Sequence, residues 1–98
     1  STSFLLYGVS INEEKLQALY SAVSGHPSSA DEAFYSLKKE CNIEGYEHYG
    51  TYYLGVSASC VKDSETGKEF RDRVKIQMEK YFPNEAVFGY IKESWYEG

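Results

Sequence analysis

Two histidines, two cysteines and a run of glutamates interleaved with tyrosines are the side chains best suited to chemistry in this sequence. A metal centre would need several of them at ligand spacing. His26 instead precedes Pro27 in a loop, and Cys41 and Cys60 lie far apart with no C-x-x-C partner. His48 with Glu44 and Glu47 makes an exposed mixed cluster that reads as a solvated acidic strand. No metal and no cofactor is expected.

Nucleophilic or acid–base catalysis fares little better, because no Ser/His/acid, Cys/His or phosphate-cradling glycine pattern is present. Both cysteines fall on apolar stripes and are expected to be small buried core residues. The alternative to a binding protein is a small homodimeric enzyme or ligand carrier with a cavity between sheet and helices. Tyr7, Tyr20, His48 and Tyr52 are its first suspects.

Glu40, Glu44 and Glu47 alternating with Tyr46 and Tyr49 suggest different work. Carboxylates steer a basic partner and rings supply buried area. The whole chain leans the same way: its formal net charge is −5, and 16% of its residues are aromatic, ten of them tyrosine. That is more aromatic surface than a small core hides, and tyrosine is the ring best suited to an interface. Negative charge disfavours phosphate backbones and anionic membranes. Val87-Phe88-Gly89-Tyr90-Ile91 is superficially similar to the aromatic-glycine-aromatic core of RNA-recognition domains. The leading basic residue is missing, however, and Glu93 stands where a later ring belongs. No direct nucleic-acid partner and no membrane are therefore expected. With no apolar run long enough to span a bilayer and no secretory leader pattern at the start, a cytoplasmic protein is expected.

The elements that must position these residues follow from periodicity. Residues 4–11 alternate as a strand with Leu5, Tyr7, Val9 and Ile11 on its stronger apolar face. Asn12 caps a helix carrying Leu16, Leu19, Tyr20 and Val23 on one stripe, ended by Gly25. Ser29 to Glu32 opens a second helix, with Ala30, Phe34, Leu37 and Cys41 in line. Residues 43–61 read as a hairpin turning near Tyr49-Gly50, its second arm placing Tyr52, Leu54, Val56, Ala58 and Cys60 together. Thr66 to Glu69 is a capping box before Phe70, Val74, Met78 and Tyr81, and residues 86–96 form a last strand.

This order predicts one α+β domain over residues 1–98: a ferredoxin-like βαββαβ antiparallel sheet with helices on one face and an extra helix between the first two strands. The second face is then left open. Gly8 and Gly55 centre two similar runs, LYGVS and YLGVS, and are expected to sit side by side on that open face, with Phe4, Leu6, Tyr53, Phe88 and Tyr90 around them. The expected function is that of a non-enzymatic, acidic regulatory domain. It would occlude a basic surface of a partner protein through Glu44, Tyr46, Glu47, Tyr49, Tyr53 and Tyr90. Self-association through the open face is the competing use of the same surface.

Overall fold

A computed structural model describes residues 1–97. Strand β1, Thr2–Asn12, ends where Asn12 turns to cap helix α1, Glu13–Ser24, its Oδ1 accepting from Lys15 N–H at 2.8 Å. Glu13 and Glu14 suit the positive end of that helix. Ser29 caps α2, Ala30–Cys41, which stops at Asn42 in the left-handed conformation (φ 55°). Strands β2, Glu44–His48, and β3, Thr51–Ser57, form the hairpin. Thr66 and Glu69 complete a reciprocal capping box on α3, Gly67–Met78, and β4, Gly89–Trp95, ends the fold.

The four strands make one antiparallel sheet in the order β2-β3-β1-β4. The helices bury stripes at helical spacing against one face: Leu16 and Tyr20 from α1, Ala33, Leu37 and Cys41 from α2, Phe70, Val74 and Met78 from α3. They meet Tyr7, Val9, Tyr52, Leu54 and Val56 in one core. Each large apolar side chain so buried contributes about 1.5–3 kcal/mol. Among the described residues no helix is long and apolar enough to cross a membrane.

Three expectations are corrected. The second hairpin arm ends at Ser57 and Ala58–Cys60 forms a short 3-10 turn, so Cys60 is exposed and only Cys41 is buried. The last strand begins at Gly89 after another 3-10 turn, Glu85–Val87. This leaves Phe88 outside the strand and packed against the helix-side core, and puts Tyr90 opposite Tyr7 with rings 5.0 Å apart. Both therefore sit on the side opposite to the one expected. Leu5, expected in the core, is 43% exposed.

The largest departure is the second face, which is not left open. Gly8 pairs with both Gly55 and Gly89, so three glycines form a row across the sheet. A Cβ on Gly8 would stand 1.9 Å from the Leu54 carbonyl oxygen, and one on Gly55 would stand 2.2 Å from that of Tyr7. The close approach inferred from the sequence is real, but it is backbone against backbone.

The sheet folds at this row. Tyr46 pairs with Tyr53, which pairs with Ser10, so Tyr46 lies six residues along β1 from Phe4. In a straight strand that is about 20 Å. The Phe4 and Tyr46 rings nevertheless stack at 4.3 Å, inclined by 7°. Trp95 pairs with Thr2 and His48 with Thr51 opposite Asn12, at the two ends of β1, yet their rings stack at 4.2 Å and 2°. The face has closed on itself about the glycine row, leaving Leu6 with 0% exposure and Phe4 with 9%.

Candidate functional site

The fold brings the hairpin tip onto the end of β4. Tyr49 and Gly50 form the two-residue connection, and both have positive φ, 48° and 81°. This is the arrangement that a tight hairpin favours, and for the first position it favours asparagine or glycine. A tyrosine held there costs about 1 kcal/mol or more. The turn is nonetheless firmly fixed. Gly50 N–H donates to Glu47 Oε2 at 2.8 Å, and the Gly50 carbonyl accepts from Glu13 N–H at 3.1 Å, satisfying one free donor at the start of α1. On this rigid support Tyr49 is 94% exposed.

Behind it runs a column of rings. His48 lies 4.3 Å from Tyr49 and stacks flat on Trp95, and Trp95 approaches Tyr53 at 6.2 Å and Phe4 at 5.7 Å. Tyr96 follows, 93% exposed. Glu97 accepts a hydrogen bond from Thr2 Oγ1, which holds its carboxyl below the usual range.

The surrounding charge is of one sign. Between Lys39 and Lys62 there is no lysine or arginine, but there are three glutamates and four tyrosines, and residues 93–97 add Glu93 and Glu97. Burial, reinforced by the Glu44 carboxylate, raises the Tyr46 phenol, and burial with Glu93 nearby raises Tyr53. Both phenols stay neutral at ordinary pH.

The expected residues divide accordingly. Tyr49 and Glu47 stand at the tip. Tyr46 and Tyr53 are half-buried inside the closed face, bracing it. Glu44 is partly committed within the molecule, its Oε2 accepting from Ser57 N–H at 2.8 Å. Tyr90, half-exposed, and Phe88 belong to the helix side, and Gly8 and Gly55 are enclosed at the fold line. Of the suspects for catalysis, Tyr7, Tyr20 and Tyr52 are buried in the helix-side core, and His48 is on the other face, so they do not converge. Tyr20 stacks on Tyr81, whose hydroxyl donates to Glu40 Oε1 at 2.8 Å while Lys80 Nζ reaches the same oxygen at 3.1 Å. These contacts hold Glu40 below the usual carboxylate range and tie α2 to the segment after α3.

Sequence reasoning missed the His48–Trp95 stack and the carboxylate next to it. The signal available was the pair of exposed-looking rings Trp95-Tyr96 in an acidic terminus, but only the glycine fold line brings them to the hairpin. Among the described residues there is no group of His, Cys, Asp and Glu able to hold a metal ion. A shallow cleft of about 470 Å³ lies apart from these rings, between α3 and residues 82–88, and is lined by Lys75, Ile76, Phe82 and Phe88. No protein family, curated protein or solved structure matches the chain.

Proposed function

We propose that the protein is a non-enzymatic binding domain that covers a basic surface of a partner protein with its hairpin tip and the adjoining end of β4. One observation carries this reading: Tyr49, almost fully exposed, is held in an unfavourable backbone conformation on a rigid turn, in a region with no lysine or arginine between positions 39 and 62. Backbone strain retained at an exposed ring is a pointer to use. The carboxylates steer the encounter and the rings supply desolvated contact. The partner's own basic site is blocked as a consequence, which makes inhibition by occlusion the expected effect. The order β2-β3-β1-β4, with crossovers before β2 and before β4, supports a ferredoxin-like split βαβ sandwich with an added helix as the scaffold.

Placing a photo-crosslinking amino acid at position 49, and separately at exposed Tyr35 on α2, tests the reading in an extract of the source cells. Adducts specific to position 49, enriched in basic proteins and lost at 0.5 M salt, are expected. Equal adducts at both positions would refute it.

A further inference from the structure

Building on a basic partner, we infer that the tip seats arginine in preference to lysine, with the guanidinium lying on the Tyr49–His48–Trp95 rings. Three features of the surface select that group. Its recognition elements are flat rings: His48 and Trp95 are parallel within 2°, and Tyr49, 4.3 Å from His48 and tilted by 47°, forms one wall beside them. A planar, weakly hydrated guanidinium stacks on such faces, whereas an ammonium is a compact and strongly hydrated point charge. Acceptors come from the end of β4, because Glu47 pairs with helix-side Tyr52 and so belongs to the opposite face, where its Oε2 accepts from Gly50 N–H. Glu93 and Glu97 lie on the side of Tyr53 and His48, close enough to affect Tyr53 and to feel His48 respectively. Competing basic side chains are few: the hairpin and residues 93–97 hold no lysine or arginine, and the cation that Glu97 feels besides His48 is the N-terminal ammonium. The nearest on β4, Lys92, pairs with Leu5 and so belongs to the opposite face.

The occupant is an arginine-bearing segment, not a nucleic acid, which Glu44, Glu93 and Glu97 on this face repel. A neutral proline-rich segment, the other common guest of aromatic surfaces, would leave the carboxylates without a role.

Trp95 is the only tryptophan, so its fluorescence reads the site directly. Nona-arginine, nona-lysine and an uncharged proline-rich nonapeptide are titrated into the whole chain at 50 mM salt. The expected result is a saturable Trp95 response with arginine binding about 10-fold tighter than lysine, a difference that Tyr49→Ala abolishes and Tyr35→Ala leaves intact. Equal binding of the two basic peptides would overturn the arginine preference while leaving the basic-partner reading in place. Binding of neither, or tighter binding of the proline-rich peptide, would overturn both. Tyr49→Asn, which suits the turn, gives a variant whose loss of selectivity cannot be attributed to misfolding.

Discussion

On one face of the sheet, Phe70, Val74 and Met78 arrive on a separate helix to join Tyr7, Val9 and Leu54; on the other, Phe4 is covered by Tyr46, Tyr53 and Trp95, all members of the same sheet. The first core is mixed aliphatic and aromatic and is supplied by four elements, three helices and a sheet. The second is largely aromatic, and its outer members stay partly in water. Large flat rings reach across a folded sheet where shorter side chains would leave a gap, and tyrosine hydroxyls tolerate the wet rim. A sheet that supplies its own cover needs no further layer, and its closed edge becomes a place to display rings.

This contrast is broken most severely at the fold line. Gly8→Ala puts a methyl group against the Leu54 carbonyl, so a loss of about 3 kcal/mol or more is expected, with denaturant unfolding as the measurement. Gly89→Ala, in the same row but with no atom within 4 Å of the added carbon, should change stability by no more than about 0.5 kcal/mol. Equal effects of the two would remove the glycine row as the cause of the fold.

The next largest effect compares the two cores. Phe70→Ala should cost about 4 kcal/mol, and Phe4→Ala about 2–3 kcal/mol because its partly exposed neighbours can close over the gap. A double-mutant cycle between Phe4 and Tyr46 should report about 1 kcal/mol of coupling. Absence of coupling would mean that the folded-over face is not closed in solution.

The smallest effect is acidic and lies on the helix side. Two hydrogen bonds from Arg73, Nε to Oε2 and Nη2 to Oε1, each 2.8 Å, pull Glu65 from an ordinary 4.5 down to about 2. Because the folded value is the lower one, the pair stabilises above pH 4.5 and that stabilisation fades as pH falls towards 2. Glu65→Gln should therefore flatten the acid limb of the stability profile in this window while leaving the Trp95 environment unchanged. A shift in Trp95 emission would show that the two faces are not independent.

Periodicity made the helices legible, since Leu16/Tyr20, Ala30/Leu37/Cys41 and Phe70/Val74/Met78 are spaced for one buried stripe each and begin at Asn12, Ser29 and Thr66. The hairpin turn at Tyr49-Gly50 was equally plain. The glycines marked a close approach, but local sequence does not say whether the visitor is a ligand or the neighbouring strand. That depended on register between β1, β3 and β4, set by residues more than forty positions apart. Once Gly8, Gly55 and Gly89 are known to align, the burial of Phe4 and Leu6 and the meeting of His48 with Trp95 follow. The candidate site was half legible for the same reason: Tyr49 and Glu47 are local to the turn, whereas Trp95 comes from the far end of the chain.

The pairing of Thr2 through Gly8 with Gly89 through Trp95 joins the two most distant parts of the chain. The helix α1, the β2–β3 hairpin and α3 join residues near in sequence, while the β1–β4 ladder closes a loop of nearly the whole chain and bears the greatest entropic cost. Until that ladder forms, Phe4, Leu6, Tyr46 and Tyr53 have no cover. A chain with that ladder open would present an aromatic surface flanked by unpaired strand edges, and the glutamates along β2 and β4 are placed to repel neighbouring chains from it.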